Sequence, residues 1–331
     1  MANFSSRQRH LAAAAVLMVI LGLLPLGIGS TTILNILILT LLYAGLSQAW
    51  NILGGYCGQV SLGNALYFGI GAYSSTLLLT HLGISPWLGM LVGGSLAAGL
   101  ALLVGWPLFR LKGHYFVIAT IVIAEGALLL FQSWDWVGGT LGIYIPFNGD
   151  SWSMLQFQTA KLPFYYVALG YAAILWVVTF LIDGGRLGHY WRAVKDNAEA
   201  AQSLGVKIFP SKLQAVAISA FFTGVGGSFY AQFVSYIDPE SVMNFQISLL
   251  MTLPAVLGGL GTLWGPLVGA AVLIPISELT RSYLGGGGQG IDLIFYGALI
   301  MVIALLKPEG IVGIWADFTR RRSLKTQKVA A

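Results

Sequence analysis

The chain has 331 residues, of which 57% are apolar and 9% charged, and its mean hydropathy is +0.81. Charged residues make up roughly a quarter of a soluble globular protein, so this composition excludes a water-soluble domain and points to an integral membrane protein. The net charge of +5 gathers at the ends of apolar runs, which makes it a topology signal rather than a nucleic-acid-binding patch.

A helix needs roughly 20 mostly apolar residues to cross the hydrocarbon, and about ten such runs follow one another along the chain. They are Leu11 to Gly29, Thr32 to Leu53, a glycine-rich third from Gly58 to Thr80, Trp87 to Phe109, Tyr115 to Phe131, Pro163 to Ile182, Leu213 to Tyr236, Phe245 to Leu257, Pro266 to Leu284 and Ile291 to Leu306. The first is longer than the apolar core of a secretory signal and more spans follow at once, so it reads as a retained helix. The expected fold is all-α and polytopic. Residues 1–331 form a single transmembrane domain, with spans within 11–306, a cytoplasmic segment at 185–212, an outer loop at 132–162 and a tail at 307–331.

Basic residues are retained on the cytoplasmic side of a bilayer. With both termini inside, the cytoplasmic set contains Arg7, Arg9, Arg110, Lys112, Arg186, Arg192, Lys195, Lys207, Lys212, Lys307, Arg320, Arg321, Arg322, Lys325 and Lys328, leaving only Lys161 and Arg281 of 17 outside. The outer loop carries Trp134, Trp136 and Trp152, which suit either anchoring at the headgroups or the landing of an extracytoplasmic partner.

Patterns for chemistry are scarce. The chain has no HExxH, GxSxG or Walker A sequence, and the GxGxxG match at Gly285 to Gly290 lies in a glycine run between two spans with no preceding strand. Cys57 is the single cysteine, which rules out an internal disulfide. The four histidines lack metal-ligand spacing. No catalytic residue, metal or cofactor is expected.

Glycine is abundant, with 43 residues. Gly89 and Gly93, and the series Gly261, Gly265 and Gly269, have the small-residue spacing of close helix packing. Gly54, Gly55, Gly58, Gly63, Gly69 and Gly71 instead predict a broken helix beside Gln59, Ser61 and Asn64. Unwound backbone at membrane depth is tolerated where it is buried in protein or lines a wet cavity, so these three polar residues are candidates for the translocation path. Glu125 joins them from the middle of the fifth span, where an ionisable group costs about 3 kcal/mol on insertion scales and needs a cavity or a partner. Its role is either on the path or structural. Glu278 and Arg281 are spaced to pair. Gly258, Gly259 and Gly261 echo the first glycine cluster, suggesting two related halves.

The segment from Gly185 to Lys212 differs from everything around it. Trp191, Val194, Ala198, Ala201 and Leu204 recur at spacings of three and four, with Arg192, Lys195, Asp196 and Glu199 elsewhere, predicting one short amphipathic helix over Tyr190 to Gly205 that ends at a Gly205 cap. Such a helix must pack on the bilayer, on the spans of its own chain or on a soluble subunit.

Glu199, Ala200, Ala201 and Gly205, followed by Ile208 and Pro210, resemble the EAA motif of ABC importer permeases. The stretch GGYCGQVSLGNALYFGIGAY from Gly54 to Tyr73 resembles the signature of LivM-type branched-chain amino acid permeases, in which histidine is common at the place of Asn64. Similarity continues through GVGGSFYAQF, DPESVMNFQIS and VLGGLGTLWGPLVGA, so it covers most of the chain from about Gly54 to Gly313. The resemblance implies a permease subunit in the bacterial inner membrane, paired with a second, LivH-like permease, two cytoplasmic P-loop ATPases and a periplasmic substrate-binding protein, and surrounded by lipid. Glu199, Ala200, Ala201 and Gly205 would couple it to an ATPase, and the chain itself would hydrolyse nothing. Charging Ala201 is expected to abolish transport without preventing insertion. Branched-chain amino acids are the expected cargo. Urea or amide transport by the same family, and ion-coupled secondary transport through Glu125, are the alternatives.

Overall fold

The structure is a computed structural model that describes residues 6–111, 113–147, 149–157, 160–283, 297 and 310–313. The tenth predicted span, the glycine run at Gly285 to Gly290, Lys112 and the arginine-rich tail lie outside the described residues, as does the side chain of Arg281.

In chain order the helices are α1 (Ser6–Leu23), α2 (Thr31–Asn51), α3 (Asn64–Leu82), α4 (Pro86–Leu108), α5 (His114–Gln132), α6 (Leu162–Asp183), α7 (Arg186–Asp196), α8 (Ala198–Ser203), α9 (Ile208–Val234), α10 (Pro239–Met243), α11 (Phe245–Gly258) and α12 (Gly265–Tyr283). Among the described residues, 7 helical stretches are long and apolar enough to cross a membrane; α10 and α11 together supply one of them. The protein is therefore a polytopic, all-α membrane protein. Two short strands, β1 (Ile143–Tyr144) and β2 (Tyr236–Ile237), pair antiparallel and fasten the outer loop to the end of α9. Trp134, Trp136 and Trp152 of that loop are exposed.

The buried axis is α2. Every residue from Thr40 through Asn51 is buried, and so is the π-helical turn Ile52–Tyr56 that continues it. By contrast α1 and α5 show apolar stripes to the surroundings, including Val16, Val19, Ile118, Val122 and Leu129. Such stripes suit helices that face lipid or another membrane chain.

Glycines bring α3, α4 and α9 together. A Cβ at Gly71 would lie 1.9 Å from the Gly224 carbonyl oxygen, one at Gly227 2.0 Å from that of Phe68, and one at Gly93 2.9 Å from that of Gly71. Ser228 Oγ also donates to the Gly71 carbonyl at 2.8 Å. This corrects the broken-helix reading for Gly69 and Gly71: α3 is continuous there, and those glycines admit neighbouring chain, Met243 in the case of Gly69. Gly261 also departs from the packing series. It sits at φ +70° in the loop before α12, so helical packing begins only at Gly265, and Gly269 lies against the Pro254 carbonyl.

The charges sort by end. Arg7 stacks over Phe180 near the end of α6, Arg110 over Trp106 at the end of α4, Lys212 faces Phe109, and Arg192 lies over Tyr56. Lys161 sits over Phe233 at the far end of α9. Bringing these basic residues to a common end is what the charge partition of the sequence requires.

Candidate coupling segment and polar path

Two helices, not one, form the amphipathic segment. Asn197 is extended, at φ −157° and ψ 104°, and its side-chain oxygen accepts from the Ala200 N–H at 3.0 Å, which caps α8. Asn at an N-cap satisfies an otherwise orphaned amide. The other end of α8 closes with Gly205 at φ +88°, whose N–H donates to the Gln202 carbonyl at 2.9 Å while Val206 N–H reaches the Ala201 carbonyl at 3.0 Å. These are the two bonds of a Schellman motif, so the expected glycine cap is present.

α7 is bound to the body of the protein. Trp191 is fully buried in the cluster that contains Ile52, Leu53 and Tyr56, and Val194 is nearly as buried. A Cβ at Gly188 would meet the Ile182 carbonyl at 2.2 Å, so α7 turns tightly on the end of α6. Arg192 pairs with Asp183 as well as covering the Tyr56 ring. On α8 only Ala201 is buried, at 3% exposure, whereas Glu199, Ala200 and Gly205 face outward and Leu204 is 85% exposed. Leu204 therefore leaves the buried face on which its spacing placed it.

The link between α2 and α3 is irregular, and its polar backbone is satisfied by side chains. Trp50 Nε1 donates to the Ser61 carbonyl at 2.7 Å, Leu62 N–H to Thr120 Oγ1 at 3.2 Å, Gly63 N–H to Ser61 Oγ at 3.3 Å, and Ala65 N–H to Ser248 Oγ at 2.9 Å. Non-helical backbone in a membrane protein needs such partners. Gln59 is half-buried and Ser61 buried. Asn64 is wholly buried, and neither atom of its amide has a partner among the described residues. The amide of Gln232 on α9 is in the same state, a feature that its position in an apolar run did not single out. Buried amides left this way cost on the order of 1–3 kcal/mol each. Glu125 is half-buried on α5, one residue beyond the first turn above Thr120, so it stands roughly 7.5 Å further along the helix than the link. The structure thus seats the link on α5 through Leu62 and Gly63 at Thr120, and among the described residues no bond joins Glu125 to Ser61 or Asn64.

The second glycine cluster returns to this place. Asn51 donates from Nδ2 to the Thr262 carbonyl at 3.0 Å and accepts from the Gly261 N–H at 2.8 Å, while Gln48 Nε2 reaches the Leu263 carbonyl at 3.4 Å. The two glycine clusters that echo each other in sequence are in contact.

Residues 32–304 match a family described as the branched-chain amino acid transport system / permease component. The chain belongs to this family. Relatives include the high-affinity branched-chain amino acid permease protein LivM of Escherichia coli K12, 29% identical over 84% of this chain and 69% of that protein. LivH of the same strain is 26% identical, covering 82% of this chain and 91% of its own length. The galactose/methyl galactoside permease MglC of Treponema pallidum is 25% identical over 75% of this chain and 49% of that protein. No solved structure matches the chain.

Proposed function

We propose that this chain is the LivM-type permease subunit of an ATP-driven importer for leucine, isoleucine and valine in the bacterial inner membrane. About ten spans, both termini in the cytoplasm and one transmembrane domain over residues 1–331 complete the architecture. Its partners are a LivH-like permease, two P-loop ATPases and a periplasmic binding protein. The observation that carries this reading is α8, a helix whose ends are both capped, whose Ala201 is seated in the body of the protein, and whose remaining surface is presented outward.

In this mechanism Glu199, Ala200, Leu204 and Gly205 meet the ATPase, and Ala201 holds the helix to the permease. Closure of the ATPases on ATP moves α8 and α7 as a body. The irregular link with Gln59, Ser61 and Asn64 is the polar stretch past which an amino acid travels, and Glu125 lies further along the path on α5. No step of covalent chemistry falls to this chain. The assay is uptake of labelled leucine into proteoliposomes that hold the two permeases and the ATPases, with binding protein outside and ATP within. Uptake that needs both ATP and binding protein is the expected result. Uptake driven by an ion gradient alone, with no nucleotide, would sink the reading.

A further inference from the structure

Lys195 stands where three separate parts of the chain meet. Its ammonium donates to the Gly55 carbonyl oxygen at 2.8 Å, across 140 residues of sequence. That carbonyl belongs to the π turn that ends α2, where unsatisfied carbonyls carry partial negative charge and attract a cation. The stem of the side chain lies along Gly58, at φ +70°, where an added Cβ would be 2.8 Å from Lys195 Cγ and 3.1 Å from its Cβ. Only a glycine there combines that backbone with room for the stem. The third part is Gly261, also at φ +70°, where a Cβ would be 3.2 Å from Lys195 Nζ and 2.8 Å from the Gly55 carbonyl oxygen.

The two glycine clusters do not need Lys195 to stay together, because Asn51 bonds the backbone of Gly261 and Thr262 on its own. What Lys195 adds is a tie from that junction to α7. We propose that Lys195 is the positioning residue that transmits movement of the α7–α8 segment to both glycine clusters at once. This rests on the reading of α8 as the ATPase contact. Arg192, one turn earlier, grips Asp183 at the end of α6 and the face of Tyr56, so it fixes α7 to its flanks and does not reach the second cluster.

The test uses the whole transporter in proteoliposomes and compares two rates, leucine taken up and ATP hydrolysed. Lys195→Met keeps the stem and removes the donor; Lys195→Arg keeps a donor. The expected result is a Met variant that assembles with the ATPases in the normal ratio and hydrolyses ATP within twofold of the parent, with uptake per ATP at least tenfold lower, largely restored in the Arg variant. An unchanged ratio of uptake to hydrolysis in Lys195→Met overturns the proposal, and so does a proportional loss of both rates, which would make the residue merely structural. If Lys195→Met does not accumulate, Gly58→Ala decides by the same ratio, because it keeps the lysine but displaces its stem, and with it the ammonium, from the Gly55 carbonyl. A parent complex that binds no ATPase refutes the importer reading instead, so the two failures are distinct.

Discussion

α7 and α8 are adjacent and joined by one residue, yet the protein treats them oppositely. α7 buries Trp191 and Val194, and ties Arg192 and Lys195 to the ends of α6 and α2. α8 buries Ala201 alone and is closed by local bonds from Asn197 and around Gly205. A helix of six residues is unstable by itself, so it is held by its caps and by its neighbour. The lesson is a division of labour within one amphipathic segment: α7 is anchored by burial, and α8 is preshaped by hydrogen bonds so that its outer face remains free.

Substitutions in the two helices should therefore act differently. The largest effect on stability is expected from Trp191→Ala, which removes a fully buried side chain at a cost of about 3–5 kcal/mol. Thermal unfolding in detergent, followed by size-exclusion chromatography, should show a clear loss of folded protein; an unshifted transition would mean that α7 is not anchored by burial. Asn197→Ala removes the α8 cap and is expected to cost about 1 kcal/mol. Hydrogen exchange should rise at α8 amides while α7 stays protected, and equal rises in both would erase the distinction. Leu204→Asp is expected to change stability by less than about 0.5 kcal/mol, as at other exposed positions, while ATPase subunits no longer co-purify. Retention of the ATPases by that variant would remove Leu204 from the contact.

The same contrast revises where a charge is informative. Ala201 is seated inside the protein, so Ala201→Asp buries an uncompensated carboxylate and perturbs the fold along with coupling. Leu204 is the cleaner probe of docking.

Among the described residues, seven spans were legible because burial in lipid demands long apolar runs, whereas α3 and α12 are not among the helices long and apolar enough to cross; the predicted limits of α4, α5 and α6 fall within one residue of those observed. Less was legible where one pattern has two physical uses. The apolar spacing through Trp191, Val194, Ala198 and Ala201 carries across a single extended residue without losing phase, although Asn197 followed by helix formers is a cap signal. Glycine inside a span signals either a break or a close approach, and only the partner on the other side decides. Gly55 proves to belong to a distorted helix end and Gly71 to a crossing. In the sequence Lys195 is one of many basic residues marking the cytoplasmic side; its carbonyl partner lies 140 positions away, beyond any local pattern. Ser61 and Asn64 are singled out in the sequence by the glycines beside them, whereas Gln232 lacks so close a signal.

The crossing of α3, α4 and α9 at Gly71, Gly93 and Gly224 has main chain resting on main chain. At its closest points such a joint is backbone against backbone, locked by the Ser228 hydroxyl on the Gly71 carbonyl, so it acts as a hub rather than a gasket. These three helices must then travel as a single piece, and any opening between the two sides of the membrane has to occur along the rim of that piece, against helices such as α5 and α11.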